Sequence, residues 1–278
     1  MNYFILSTLT RYLLSKLRKY HEHYPKVVVY NKDFIGEEIF AYGMYEKDSI
    51  DVMLGCLNFP TQKYSIMDVG ANIGNHSLQF SKTFQKVHAF EPNRQAFKLL
   101  EINTLGIQNI ILHNFGLSHK NGHAFIKTPV YNLGGATVVY EKNNGDNEIL
   151  LKKGDDCIHE EIAVIKMDIE GHEEYALEGL TETLKKYKPI IFTEYLNQKK
   201  EDSHLMDTLT HLGYTHFYTP YRKSLLGKKN PSFSLQFLNG LFFGKTHRIK
   251  KIETLKKENY GLLICENPLS KFRVRTTF

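Results

Sequence analysis

Short apolar runs alternate with amphipathic stretches along most of the chain after Ser65. The runs that read as strands are YSIMDV, KVHAF, IQNIILHNF, EIAVIKM, KPIIFTEY, THFYTP and YGLLICEN. Several stretches between them carry apolar residues at helical spacing, for example Leu177, Leu180 and Leu184. Strands that alternate with helices in this way favour parallel strands joined by helical crossovers. The pattern therefore predicts an α/β fold with a doubly wound, mostly parallel sheet.

Polar side chains come directly after the predicted strands. In sheets of this kind, ligands bind outside the carboxyl ends of the strands. The candidates at these ends are Asp68, Glu91, Asn114, Asp168, Glu170 and Glu194. Their shared position predicts a functional site along one edge of the sheet.

The two ends of the chain depart from the alternating pattern. We expect an N-terminal helical extension over residues 1–40, a main domain over residues 41–270 and a short tail over residues 271–278. Within the main domain, residues 222–257 are rich in Lys, Phe and Gly, and we interpret them as an insertion or lid.

The first 20 residues predict an amphipathic helix. One of its faces carries Ile5, Leu9, Tyr12, Leu13 and Leu17. Its apolar run is broken by Arg11, lacks a signal-peptide pattern and is too short to span a bilayer. Packing on the rest of the chain or on a second copy is the favoured role. Peripheral contact with an anionic membrane through residues 1–20 is the alternative.

The composition is that of an ordinary globular protein. Hydrophobic residues make up 42% of the 278 residues and charged residues 24%, so general disorder is not expected. The net charge of +6 weakly favours an anionic partner. Cys56, Cys157 and Cys265 are too scattered for a disulfide framework or a zinc site, which indicates a reducing cytoplasm.

The segment MDVGANIGNHS, residues 67–77, places two glycines where the first strand becomes a helix. Gly70 allows a sharp turn and close approach of a ligand, and Gly74 allows close packing at the helix start. A dinucleotide-binding loop has a further glycine between them, where this chain has Asn72. NAD and FAD therefore fit poorly. A nucleoside with an amino-acid end in place of the pyrophosphate fits better.

Glu91 lies 21 residues after Gly70, at the end of the second predicted strand. A carboxylate in that position accepts hydrogen bonds from both hydroxyls of a ribose. Backbone groups of the glycine loop, assisted by Asp68 or Asn72, would then hold the amino-acid end. The loop and the acid together predict S-adenosylmethionine as the ligand.

The chain closely resembles the FkbM family of class I methyltransferases over roughly residues 42–214. The matching segments are YGMYEKDSIDVMLG, SIMDVGANIGNHSLQFS, HAFEPN, GLSHKNG, NLGGAT, VIKMDIEGHEEYALEGL and KPIIFTEY. The run K-x-D-x-E-G-x-E at residues 166–173 is the most family-specific of them. The resemblance implies a seven-stranded sheet whose last strand inserts antiparallel. It also implies S-adenosylmethionine-dependent methylation of a hydroxyl on a glycan or another small acceptor.

The resemblance further places Tyr45 and Glu46 over the cofactor, and Asn114 follows the third strand near the expected position of the adenine. A base that removes the acceptor's proton would speed the reaction by about two to four orders of magnitude. The candidate catalytic residues are Asp168, Glu170, His172 and Glu194. Neighbouring carboxylates raise one another's pKa, which suits one of them to act as a base near neutral pH. By resemblance Asp168 lies beside the methyl group.

Within this candidate set, Asp168 or Glu170 is the favoured base, and His172 is less favoured. Lys166 is positioned to pair with one of the acids and hold its charge. Glu173 is explained by capping of the following helix.

Other functions stay open at this point. An RNA ribose methyltransferase would suit the basic charge, but it would depend on lysines where this chain has acids, so nucleic acid is not an expected partner. A non-catalytic S-adenosylmethionine-binding protein would have lost those acids. Asp168 and Glu194 offer two ligands for a divalent cation, which are few, so a metal is not expected. The acceptor and the oligomeric state are not determined by the sequence.

Overall fold

The computed structural model describes residues 3–31, 33–129, 134–141, 143, 147–195, 202–221, 248–252 and 260–278. The helices are α1 (Tyr3–His21), α2 (Phe34–Tyr42), α3 (Lys47–Cys56), α4 (Asn75–Phe80), α5 (Arg94–Asn103), α6 (Glu173–Glu178), α7 (Thr181–Tyr187) and α8 (Asp202–His211). The strands are β1 (Ser65–Val69), β2 (Lys86–Phe90), β3 (Ile110–His113), β4 (Gly116–Ser118), β5 (Gly122–Lys127), β6 (Thr137–Val139), β7 (Asn147–Lys153), β8 (Ile162–Met167), β9 (Ile190–Tyr195), β10 (His216–Tyr221), β11 (Arg248–Ile252) and β12 (Tyr260–Glu266).

The large sheet has the strand order β11-β10-β12-β9-β8-β1-β2-β3 among the residues described. Strands β3, β2, β1, β8 and β9 are parallel neighbours, and β12 inserts antiparallel beside β9. These pairings confirm the predicted doubly wound sheet and its antiparallel last strand. One strand is added to the expected seven, because β11 pairs antiparallel with β10 at the edge. The rest of the predicted insertion at residues 222–257 lies outside the described residues.

Both faces of the large sheet are covered, which explains why its strands read as continuous apolar runs. Side chains of neighbouring residues in a strand point to opposite faces. In β1, Ile66 packs in one core with Leu100 of α5. The next residue, Met67, packs in the other core with Leu177 of α6. The carboxyl ends of the strands are thereby held between two cores.

A second sheet, with strand order β4-β7-β5-β6, follows the third strand of the large sheet. Its buried residues Ala124, Ile126, Ile149 and Leu151 form a small core of their own. The sequence analysis assigned no strand to this region. The strands were missed because they are short and alternate buried with exposed residues, which gives a weak apolar signal.

Helix α1 forms as predicted, but none of its residues is buried among the parts of the chain that are described. Its end meets the end of α2, where the space beside Gly43 is filled by the rings of Tyr24 and His21. Helix α2 begins after Asp33, whose carboxylate accepts a hydrogen bond from the Ile35 N–H at 3.2 Å. In the described residues, no helix is both long enough and apolar enough to cross a membrane.

Candidate active site

The carboxyl ends of β1, β2 and β8 open into a cleft of about 1050 Å³, part of which is continuous with solvent. The second sheet contributes the apolar residues Ile126, Val138 and Leu151 to its lining. The segment before β1 contributes Ile35 and Tyr45. The edge of the sheet at which the sequence predicts a functional site is therefore concave and partly apolar, as sites for small molecules usually are.

Most of the candidate acids lie where the pattern predicts. Glu91, Asp168 and Glu170 follow β2 and β8, as expected. Asp68 and Glu194 differ, because each lies inside its strand, one residue before β1 or β9 ends. The two acids were predicted to follow their strands, and they differ only in where the strand ends. Apolar periodicity does not locate the last residue of a strand.

The glycine loop is shaped by the protein itself. Gly70 has φ +82°, and a Cβ there would lie 2.0 Å from the carbonyl oxygen of Asp168. The backbone of the turn after β8 is thus what requires a glycine at position 70. The sequence analysis expected a bound ligand to be the reason. Gly74 has φ +91°, and a Cβ there would lie 2.7 Å from Leu100 Cδ1, which confirms the close packing expected at the helix start.

The substitution Gly70→Ala is expected to lower the free energy of unfolding by about 2–4 kcal/mol, through the positive φ and the displaced Asp168 carbonyl. Gly106→Ala is the matched control, because Gly106 has φ +84° with nothing within 4 Å of the added Cβ. The control should lose only about 1–2 kcal/mol. Urea unfolding of both variants measures the difference, and equal losses would contradict a role for the Asp168 contact.

The backbone donors of the loop are engaged within the protein. The N–H groups of Gly70 and Ala71 donate to the Phe90 carbonyl at 3.0 and 2.9 Å, and that of Gly74 donates to the Ala71 carbonyl at 2.8 Å. The Asn72 N–H donates to Glu91 Oε2 at 2.9 Å. These N–H groups therefore do not hold an amino-acid end in the way the sequence analysis expected. Asn72 Oδ1, by contrast, is buried and accepts no hydrogen bond within the described structure.

Glu91 joins the loop to the end of β2. Its Oε1 accepts a hydrogen bond from the Asn93 N–H at 2.7 Å, and its Oε2 accepts the one from Asn72. Burial raises the pKa of Glu91 to about 7, although these two hydrogen bonds and the charge of Lys166 act in the opposite direction. Each carboxylate oxygen has a second lone pair, so the group can still accept hydrogen bonds from two hydroxyls.

Asn114 supports the same turn. Its Nδ2 donates to the Glu91 carbonyl oxygen at 2.8 Å, which fixes the backbone that carries the carboxylate. Contact of Asn114 with a ligand stays a prediction.

Lys166 lies at the centre of the acids. Its Nζ is 3.1 Å from the Gly70 carbonyl oxygen, 3.5 Å from Asp68 Oδ1 and 3.7 Å from Asp168 Oδ2. Burial lowers the pKa of Lys166, but the charges of Asp68 and Asp168 outweigh burial and raise it overall. The lysine is therefore charged and pairs with acids, as the sequence predicts. Asp68 is fully buried, and it also accepts a hydrogen bond from Ser77 Oγ at 2.5 Å, so it holds both Lys166 and the start of α4.

Two further residues after the glycine loop were missed by the sequence analysis. The Asn75 side chain binds both backbone groups of Tyr45, accepting from its N–H at 3.2 Å and donating to its carbonyl at 2.9 Å. His76 Nε2 lies 3.4 Å from Glu46 Oε2. Burial raises the pKa of Glu46, but the hydrogen bond and charge of His76, with the charge of Lys166, bring it below its usual value. The polar pair Asn-His inside a buried helix start was the signal that could have found them.

Three carboxylates, those of Asp168, Glu170 and Glu194, lie close enough to influence one another at the carboxyl ends of β8 and β9, and the first two line the cleft. Burial, followed by the charges of Asp168 and Glu170, raises the pKa of Glu194 to about 7. Asp168 has a side chain that is 36% exposed. Burial and the neighbouring charges of Glu46 and Asp168 also raise the pKa of the Tyr45 hydroxyl, which stays protonated. The site thus contains a carboxylate that changes protonation near neutral pH, and such a group can take a proton from a bound hydroxyl.

His172 lines the cleft but differs from a typical base. Its Nε2 lies 3.1 Å from the hydroxyl of Ser118. Burial and the charge of His119 lower the pKa of His172 to about 4, so the ring is neutral and weakly basic at neutral pH. Glu173 Oε1 accepts a hydrogen bond from the Ile169 N–H at 3.0 Å, which agrees with the structural role predicted for it. Within the described residues, no group of three or more His, Cys, Asp or Glu side chains is arranged to hold a metal ion.

Residues 68–215 match the model of the methyltransferase FkbM domain. A relative from Haloferax volcanii, the hexuronic acid methyltransferase AglP, is 34% identical over 132 residues, which are 45% of this chain and 54% of the relative. The chain therefore spans about half the length of the curated relative that it matches.

Solved structures with a similar fold are more distant. The crystal structure of a methyltransferase FkbM from Methylobacillus flagellatus covers 80% of this chain and 46% of its own, with 19% identity and a TM-score of 0.44. A putative methyltransferase from Streptococcus mutans, solved in complex with SAH, covers 79% of this chain and 96% of its own, with 13% identity and a TM-score of 0.43. The match to the FkbM domain model, in contrast, covers more than half of the chain, and this protein accordingly belongs to the FkbM methyltransferase family.

Proposed function

We propose that this protein is an S-adenosylmethionine-dependent O-methyltransferase that methylates a hydroxyl group of a sugar or another small hydroxylated acceptor. The observation that carries the proposal is the group of acids at the adjoining carboxyl ends of β8 and β9, where Glu194 lies within electrostatic reach of Asp168 and Glu170 and its pKa is raised to about 7. A base with a pKa near the working pH is the one best suited to remove a hydroxyl proton.

The residues of the cleft fit S-adenosylmethionine. Glu91 offers two carboxylate oxygens to the ribose hydroxyls, and the buried acceptor Asn72 Oδ1 suits the ammonium of the amino-acid end. The surplus of acids suits the positive charge of a sulfonium. When it is bound, the cofactor supplies the methyl group. Family membership supports the same cofactor.

The acids at the ends of β8 and β9 then take different roles. Lys166 Nζ lies 3.7 Å from Asp168 Oδ2, so that carboxylate is already paired with a cation. In the part of the chain that the structure describes, the charges that shift the pKa of Glu194 are those of acids, and together with burial they raise it to about 7. We therefore infer that a carboxylate oxygen of Glu194 takes the proton of the acceptor hydroxyl. Asp168 and Glu170 then orient the acceptor. This assignment differs from the sequence analysis, which favoured Asp168 or Glu170 as the base.

The charge at these strand ends also bears on the acceptor. The relative named hexuronic acid methyltransferase supports a sugar as the substrate class. A carboxylate of the acceptor placed at the reacting position would face three protein acids, which like-charge repulsion opposes. We therefore infer that the methylated group is a neutral hydroxyl and that any acidic group of the sugar lies away from these acids. The same repulsion disfavours RNA as the acceptor.

Two experiments test the proposal in order. Calorimetric titration with S-adenosylhomocysteine and, separately, with NADH should give micromolar binding of the first ligand only. Methyl-labelled S-adenosylmethionine is then incubated with the protein and with methyl glycosides of hexoses and of hexuronic acids, and with RNA as a control. The expected product is a methyl ether on a glycoside, which is stable in mild alkali. A preference for NADH would contradict S-adenosylmethionine as the cofactor. A product that releases methanol in alkali would be a methyl ester and would contradict a hydroxyl as the methylated group.

A further inference from the structure

Helix α1 exposes an unusual amount of apolar surface. None of its residues is buried, and Leu9 and Leu13 are 50% and 51% exposed. At 3.6 residues per turn, one stripe of the helix carries Leu6, Leu9, Leu13, Leu17 and Tyr20. Scattered exposed apolar residues need no explanation, but a continuous stripe along about four turns of one helix indicates a surface that binds something.

The charges of α1 indicate what covers this stripe. The helix contains Arg11, Lys16, Arg18 and Lys19 and no Asp or Glu. Arg11 and Arg18 are seven residues apart and lie on the side opposite Leu9 and Leu13. Lys16 lies at the edge of the stripe, where its long side chain can bury its methylene groups and keep its ammonium in water. An apolar stripe flanked only by cations complements a surface of anionic lipid headgroups above an apolar layer.

The structure and the charges disfavour two other partners for the stripe, namely the rest of this chain and a second copy of it. In the described residues, α1 touches the rest of the chain at its end, through His21 and Tyr24 beside Gly43, and its stripe is left open. A second copy paired through this stripe would place Lys16 of each helix at the edge of the contact with no acid on either helix to pair with it, and those unpaired charges oppose the pairing.

We propose that α1 binds anionic membranes as an amphipathic helix lying in the plane of the interface. The apolar stripe enters the boundary between headgroups and acyl chains, and the basic residues contact the lipid phosphates. The inference rests on α1 and does not depend on the proposed reaction, because the cleft and the helix use different residues. It attaches the protein to a membrane surface through a helix that lies along that surface and does not cross it.

The test is sedimentation of the full chain with vesicles of phosphatidylcholine, with and without phosphatidylglycerol. Binding is expected with the mixed vesicles and should be strongly reduced at about 1 M salt, where charges are screened beyond about 3 Å. Leu9→Glu with Leu13→Glu should weaken it by more than about 100-fold. Arg11→Gln with Arg18→Gln should weaken it by about 30-fold, at about fivefold for each charge.

Lys185→Gln with Lys186→Gln, on exposed positions of α7, removes the same number of charges and should leave vesicle binding unchanged. Affinity for S-adenosylhomocysteine verifies that each variant is folded, and light scattering gives its mass. Failure to bind mixed vesicles would overturn the proposal. Equal loss in the α1 and α7 variants would also overturn it, since binding would then reflect net charge. A dimer that dissociates in the leucine variant, without vesicle binding, would show that α1 contacts a second copy instead.

Discussion

Replacing Glu194 with Gln is expected to lower the rate constant for methyl transfer by about 10²–10⁴, the usual contribution of a positioned base. Glutamine keeps the size and the hydrogen-bonding oxygen of the side chain but cannot take the acceptor's proton. Label transfer to the best glycoside of the acceptor panel measures the loss. Glu178→Gln, an exposed acid on α6, is the matched control and should retain full activity.

The same proposal fixes the direction of the pH dependence. The pKa of Glu194 is raised from 4.5 to about 7, so the carboxyl is protonated, and inactive as a base, below that pH. The rate constant should therefore rise with pH through about 7 and then level off, and Glu194→Gln should remove the rise. A variant that retained both the full rate and the rise would contradict the assignment of Glu194 as the base.

A binding measurement tests this ionisation without an acceptor. S-adenosylmethionine carries a positive sulfonium, whereas the sulfur of S-adenosylhomocysteine is neutral. As pH rises through about 7, ionisation of Glu194 should therefore increase the affinity for S-adenosylmethionine about tenfold more than the affinity for S-adenosylhomocysteine. Equal pH dependence of the two affinities would place the titrating group away from the sulfur.

The second large effect is expected for Glu91→Ala, which should weaken S-adenosylhomocysteine binding by about 10²–10⁴-fold. Two hydrogen bonds to a charged acceptor contribute about 1.5–3 kcal/mol each, and both are lost together. Calorimetry of the variant against the wild type gives the change directly. Glu101→Ala removes an exposed acid of α5 and should leave the affinity unchanged.

The role of Glu91 in holding the loop requires a second readout. Its loss frees the N–H groups of Asn72 and Asn93, so the glycine loop also becomes less ordered. Glu91→Gln keeps one oxygen that can accept a hydrogen bond, but its NH₂ group faces a backbone N–H, and two donors cannot bond each other. This variant should therefore also bind S-adenosylhomocysteine weakly. Thermal unfolding without ligand separates the effects: unchanged melting with lost binding indicates direct contact with the ribose. Undiminished binding in Glu91→Ala would contradict the proposed cofactor site.

The parts of the structure that the sequence predicts well are those in which local pattern and burial agree. β1 and β8 are apolar runs, Gly70 supplies the positive φ that the turn after β1 requires, and all three form as predicted. The hydrogen-bond partners of the loop were not predictable in this way. The Gly70 N–H donates to Phe90, which β2 brings alongside, and no local pattern encodes that pairing.

The missed elements share a physical cause. Asn75 acts on Tyr45, which lies 30 residues earlier, so its function exists only once the segment before β1 has folded over the loop. In β5, only Ala124 and Ile126 are buried, which is too few apolar positions to distinguish a strand from a loop. The pKa of Glu194 likewise depends on β8 and β9 ending side by side, which brings Asp168 and Glu170 near it. Sequence reasoning names the acids, and the fold decides which of them carries a proton.

The contact between Gly70 and Asp168 has one further consequence. The glycine loop and the turn after β8 are joined by that contact, by the Asp168 N–H donating to the Val69 carbonyl at 3.1 Å and by Lys166 between them. Neither segment can shift without the other, so the alignment of donor and acceptor is a property of two adjacent strands. Genetically, this makes Gly70, Lys166 and Asp168 an epistatic unit. A second substitution among these residues adds little to the damage caused by the first, and substitutions that are tolerated at one of them arise together with substitutions at another.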